Sequence, residues 1–157
     1  MELDNNMLTT LVERWRRETH TFHLLKGEAM ITLKDITLIT DLPINGEAII
    51  GSLKKPLAGW GAFILAHLGI EVPTEEQVER YARVYLIGLV GRVLFPNKSN
   101  RYMHCMWLPL LLGDRDDMGR KSWGSACLAT LYAELCKCTD PNTKQPGGAM
   151  FIVQLWA

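Results

Sequence analysis

His20 and His23, Cys136 and Cys138, and the neighbours His104 and Cys105 are the side chains of this 157-residue sequence most suggestive of metal binding. Zinc needs ligands that converge on a tetrahedron, and structural sites draw them from pairs spaced like C-x₂-C. None of the three pairs converges. His20 and His23 lie in a β-favouring run, where an odd separation sends side chains to opposite faces. Cys136 and Cys138 fall on a predicted helix, two residues and about 200° of rotation apart. His104 and Cys105 diverge as helix neighbours. Residues 114–120 (DRDDMGR) start like a calcium loop, but Met118 occupies the fifth position and Ser125 the twelfth, where a carboxylate is needed, so the segment reads as a solvated loop.

Catalytic patterns are equally absent. Ser122 and Ser125 flank Trp123-Gly124 without forming a G-x-S-x-G elbow, and no histidine or acid has the sequence relation of a triad. Capping of the following helix accounts for Ser122. Glu75, Glu76 and Glu79 fall in a first helical turn, where negative charge suits the dipole. The glycine pairs at 59/61 and 88/91 match neither a Walker loop nor a dinucleotide fingerprint. The expectation is a chain with no catalytic residue, no metal and no cofactor.

Binding chemistry is better represented. Arg14, Arg16 and Arg17 surround Trp15 and lead to His20, and arginine both pairs with phosphate or carboxylate and stacks on aromatic rings. Arg92, Lys98 and Arg101 form a second basic segment. Both groups also suit helix C-termini, where the dipole favours cations, so a structural role competes with a contact role.

These residues need elements to position them. Leu8, Leu11, Val12 and Trp15 have helical spacing, which predicts an amphipathic helix capped by Asp4 or Asn5 and ending near Arg17. THTFHL and AMITL read as a hairpin turning at Gly27, and Thr32 with Asp35 opens a short helix that stops before Pro43. Asn45-Gly46 signals a second hairpin. Helices are then predicted over LAGWGAFILAHLGI, from a Thr74/Gln77 capping box to Pro96, over MHCMWLPLLLGD, and over WGSACLATLYAELCKC with Leu128, Leu131, Tyr132 and Leu135 facing the core. A loop, TDPNTKQPGG, precedes a last apolar helix, AMFIVQLWA. Phe151, Ile152, Leu155 and Trp156 make that helix a candidate self-association surface, because contiguous apolar side chains must be buried somewhere.

The fold class is mainly α, a single helical domain with one or two small β-hairpins near the N-terminus. Hydrophobic content of 48% and charged content of 22% match a chain that packs a core. Seventeen basic and seventeen acidic residues cancel, so nucleic acid could be drawn only by a local patch. No apolar run approaches the roughly 18 residues of a spanning helix, so no membrane partner is expected. The cysteines, without a secretory context, read as reduced thiols.

Five stretches, from LVERWRRETHTFHLLKGEAMITLKDITLITDLPINGE through YLIGLVGRVLFPNKSNR, LPLLLGD and GRKSWGSACLATLYAELCK to GGAMFIVQLWA, together resemble the plant mobile domain, a family also labelled aminotransferase-like. The resemblance spans residues 1–157 and implies the N-terminal portion of such a domain or a shortened copy. Arg17 replaces a frequent proline, and Leu25-Lys26 a frequent Pro-Cys. A pyridoxal enzyme needs a Schiff-base lysine, a phosphate cup and a carboxylate for the ring nitrogen. No lysine here has that setting, so the aminotransferase label does not carry over to catalysis.

The resemblance implies kinship with domains of plant transposable elements and of the MAINTENANCE OF MERISTEMS group. It implies a non-catalytic nuclear interaction module in transcriptional regulation, transposon silencing or genome stability. The implied protein partner resembles the long form of phosphatase seven or is another plant mobile domain protein, and a homo-oligomer is a further expectation. A transposon-derived DNA-binding domain using Arg14, Arg16, Arg17, His20, Arg92, Lys98 and Arg101 is the alternative, and an enzyme the more remote one.

Overall fold

The computed structural model describes residues 3–50, 75–96, 115–140 and 147–157. Helix α1 (Asn5–Glu13) begins at Asp4, whose carboxylate accepts from the Asn6 and Met7 amides at 3.0 and 3.1 Å. It ends four residues before the predicted Arg17, because Trp15 belongs to a strand. Strand β1 (Trp15–Arg16) runs antiparallel to β2 (Thr21–Leu24), with Trp15 opposite Phe22 and Arg16 opposite Thr21. Pairing brings the indole edge-on to Phe22 at 4.9 Å, a tertiary contact that outweighs helical spacing.

Strand β3 (Gly27–Ala29) completes a three-stranded sheet in the order β1-β2-β3. The hairpin between β2 and β3 turns where the sequence predicts, with Gly27 at φ 139°, a conformation that glycine adopts without steric cost. Helix α2 (Leu33–Thr40) carries the predicted capping box: Thr32 Oγ1 accepts from the Asp35 amide, and the Asp35 carboxylate accepts from the Thr32 amide at 2.7 Å. It closes on Asp41 in the left-handed region before Pro43.

The second hairpin does not form. Asn45-Gly46 instead bends the chain so that Glu47 bridges Lys121 in parallel, with the Glu47 amide donating to the Arg120 carbonyl at 2.9 Å. Gly46 lies so close to that carbonyl that a Cβ would stand 2.2 Å from its oxygen. Lys121 Nζ ties the bend down through Glu47 at 2.6 Å and Asp117 at 3.2 Å. The two carboxylates hold its ammonium above the ordinary lysine value.

Helix α3 (Glu75–Leu89) runs into a π-turn, Val90–Leu94, and stops before Pro96. The DRDDMGR segment is not a loop but contains a short helix, α4 (Arg115–Gly119). Helix α5 (Trp123–Cys138) starts at Ser122, although the serine hydroxyl does not cap it: Oγ donates to the Ile44 carbonyl and lies 2.7 Å from Ser125 Oγ. Helix α6 (Met150–Trp156) follows Gly148, whose φ is 82°. Predicted helices over residues 57–70 and 103–114, the Thr74/Gln77 box and most of the predicted loop at 139–148 lie outside the described residues.

The core joins the two ends of the chain. Phe22, Ile31, Ile36, Cys127, Leu131, Leu135, Ile152 and Val153 are fully buried together, each large side chain contributing roughly 1.5–3 kcal/mol. Leu128 and Tyr132 pack against them, as the spacing on α5 predicts. A smaller cluster gathers Ile49, Val90, Met118 and Trp123 around Phe95. The protein is mainly helical, with its small antiparallel sheet near the N-terminus. No helix among the described residues is long and apolar enough to cross a membrane.

Candidate functional site

The four-residue connection between β1 and β2, Arg17 to His20, lies on the rim of this core. His20 ends it in the left-handed region at φ 54°. That conformation costs a non-glycine residue about 1–2 kcal/mol, and glycine or asparagine would meet it more easily. Asp41, at φ 56°, is explained as a helix cap. What accompanies the histidine is an aromatic stack. Its imidazole lies parallel to the Tyr132 ring, 5.4 Å between centroids and 7° between planes. Trp15 stands 5.2 Å from Tyr132 and 6.1 Å from His20, and Phe22 continues the cluster to Trp156 at 5.3 Å.

Hydrogen bonds hold the stack. Tyr132 Oη–H donates to the Ile31 carbonyl, and the Trp15 indole N–H donates to Cys136 Sγ at 3.3 Å. Burial pushes the Tyr132 hydroxyl up, with a further contribution from the Asp35 charge, so it stays protonated and keeps donating. Asp35 itself is held below the ordinary carboxylate value by the Thr32 hydroxyl and then the Thr32 amide.

Arg14, Arg16 and Arg17, which flank Trp15 in the sequence, are exposed, as is His20. None of the three arginines forms an ion pair among the described residues. The helix-end account of Arg16 and Arg17 no longer applies, since α1 ends before them. Glu13 and Glu18 are the exposed acids nearest in sequence. Arg92 is exposed on the π-turn, a different element, and the structure shows no contact joining it to the first group; Lys98 and Arg101 lie outside the described residues.

His20 and His23 do not share a strand, contrary to the spacing argument. His20 belongs to the connection, whereas His23 lies on β2 with its Nδ1 3.8 Å from Glu28. Glu28 also accepts from Thr21 Oγ1 at 3.0 Å. Among the described residues no group of three His, Cys, Asp or Glu side chains is placed to hold a metal ion. Burial pushes the Cys127 thiol up to about 12, which leaves it protonated and poorly nucleophilic at neutral pH.

The candidate self-association surface divides. Ile152 is fully buried, and Phe151 and Trp156 pack on the chain's own core, whereas Leu155 is exposed. Sequence spacing marks Tyr132 only as a core residue; its support of His20 depends on a contact between distant parts of the chain, for which the sequence carries no local signal.

The family model described as plant mobile domain matches residues 1–157. Among curated proteins of Arabidopsis thaliana, the chain is 35% identical over 179 residues to "Serine/threonine-protein phosphatase 7 long form homolog", covering all of this chain and 13% of that protein. It is 36% identical over 179 residues to "Protein MAIN-LIKE 2", of which it covers 27%. It is 29% identical over 184 residues to "Protein MAINTENANCE OF MERISTEMS", of which it covers 37%. No solved structure matches the chain. With the whole of its length matched, the chain belongs to the plant mobile domain family.

Proposed function

We propose that this chain is a non-catalytic nuclear interaction module serving transcriptional regulation, transposon silencing or genome stability. The observation that carries the reading is the surface at and beside the β1–β2 connection, where Arg14, Arg16 and Arg17 are exposed without ion pairs among the described residues and the exposed His20 stacks on the half-buried Tyr132. A rigid mount for solvent-facing binding groups serves recognition, because little ordering of the surface remains to be done on contact. The comparisons support portability: related stretches occupy small parts of proteins with different names, including a phosphatase 7 long form homolog and two MAIN-type proteins. The partner in this reading is a protein resembling that phosphatase long form, or another plant mobile domain protein.

A tagged chain expressed in plant cells, beside a variant carrying Arg14→Ala, Arg16→Ala and Arg17→Ala, tests the proposal. The expected result is nuclear enrichment and a protein set recovered with the wild type but depleted with the variant, whose circular dichroism stays unchanged. Identical recoveries from both chains, or exclusion from nuclei, would sink it.

The exposed arginines also support a second reading, a transposon-derived DNA-binding domain, in which guanidinium groups neutralise phosphates. The balanced formal charge places this reading second, because attraction has to come from a few residues.

A further inference from the structure

We propose that the His20 imidazole is a stacking platform for one base of a single-stranded nucleic acid, with Arg14, Arg16 and Arg17 taking the flanking phosphates. The inference rests on the second reading above and narrows it from nucleic acid in general to unpaired strands.

The stack supplies the reason. Tyr132 lies parallel to His20, Trp15 stands tilted beside both rings, and His20 is exposed. An exposed ring held by a parallel neighbour is suited to stacking on a base, and aromatic platforms are the common device of single-strand binders. A duplex already stacks both faces of each internal base, so it gains nothing from such a ring.

Backbone geometry points the same way. The end of the β1–β2 connection adopts positive φ, which glycine or asparagine would meet with less strain, yet it carries a ring. The ring held there is the one that stacks on Tyr132.

Charge completes the site. Arg16 ends β1 opposite Thr21, Arg17 opens the connection, and Arg14 precedes Trp15. Glu18 shares the connection and opposes an anion. Glu13 adjoins Arg14, so three arginines against two acids leave a local excess of one positive charge, which suits a short contact of modest affinity.

Fluorescence anisotropy on the intact chain decides the matter with three labelled probes of equal length: single-stranded oligo-dA, a duplex, and an abasic strand. The single strand should bind tightest. His20→Ala should weaken it about fivefold or more while leaving the duplex unchanged, and His20→Phe should restore most of the loss. Arg16→Ala with Arg17→Ala should weaken every probe and reduce the salt dependence.

His20→Gly keeps the backbone geometry without the ring. Binding lost in that variant, with a thermal midpoint at or above the wild type's, separates loss of the platform from loss of the fold. Equal affinity for the single strand and the abasic strand, or an indifferent His20→Ala, would overturn the platform and leave only charge. No binding to any probe would remove the nucleic-acid reading with it. An acidic peptide captured at the same arginines in place of every probe would assign them to protein contact.

Discussion

Helices α3 and α5 are of similar length and carry apolar residues at helical spacing, but they meet different surroundings. On α5, Cys127, Leu131 and Leu135 are fully buried against residues from both ends of the chain. On α3, Val78, Tyr85, Leu86 and Leu89 are all exposed, Tyr85 at 71%. The stretch following α3 meets the main body through Leu94, and Phe95 anchors the smaller cluster. Amphipathic spacing therefore identifies a face suited to burial without saying what will cover it. Cover comes from partners distant in sequence, and α5 has them in β1 and α2.

The largest expected contrast is between one core ring and one exposed ring. Phe22→Ala should cost about 3–5 kcal/mol by urea unfolding, from lost transfer energy and the cavity left behind. Tyr85→Ala should change stability by no more than about 0.5 kcal/mol. A loss at Tyr85 comparable with that at Phe22 would show that the face of α3 is covered in solution, and the contrast would collapse.

A smaller contrast reverses sign between the two regions. Gly46→Ala should cost about 1–3 kcal/mol, since φ is 127° and the new Cβ would stand 2.2 Å from the Arg120 carbonyl oxygen. Gly88→Ala on α3 meets nothing within 4 Å, so it should stabilise by about 0.5–1 kcal/mol through helix propensity. A destabilising Gly88→Ala would place an unseen neighbour on that face.

Smallest is the capping box that sets the entry of α2 beside the core. Thr32→Ala should cost about 1 kcal/mol at neutral pH. Thr32 lowers the Asp35 pKa below its ordinary 3.8, so the carboxylate's contribution is present above that value and is lost as pH falls through the lower folded value. The difference between wild type and variant should narrow in acid, measured as paired urea midpoints. A difference that stays constant down the acid limb would show that the carboxylate does not contribute.

Much of the fold is legible locally. Asp4 and the Thr32/Asp35 box mark helix starts because their side chains bond backbone amides only a few residues away. Gly27 marks the hairpin through its own φ, and Leu131 and Leu135 mark the buried face of α5 through helical period. The misplacements share one cause. Trp15 has helical spacing but takes a strand opposite Phe22, Asn45-Gly46 has hairpin chemistry but docks on Arg120, and Ser122 has capping chemistry but bonds Ile44. In each case a partner outside the local signal supplies the competing contact or hydrogen bond.

The candidate site divides along the same line. Sequence by itself determined the family signature and the basic residues around Trp15, since each depends on residue type and short separation. Only the tertiary structure decided that His20 stacks on Tyr132, that Arg16 and Arg17 lie beyond a helix end, and that Phe151, Ile152 and Trp156 serve this chain's own core. Those outcomes depend on where the C-terminal helices close over the N-terminal sheet, and burial rewards such closure without leaving a periodic mark in the sequence.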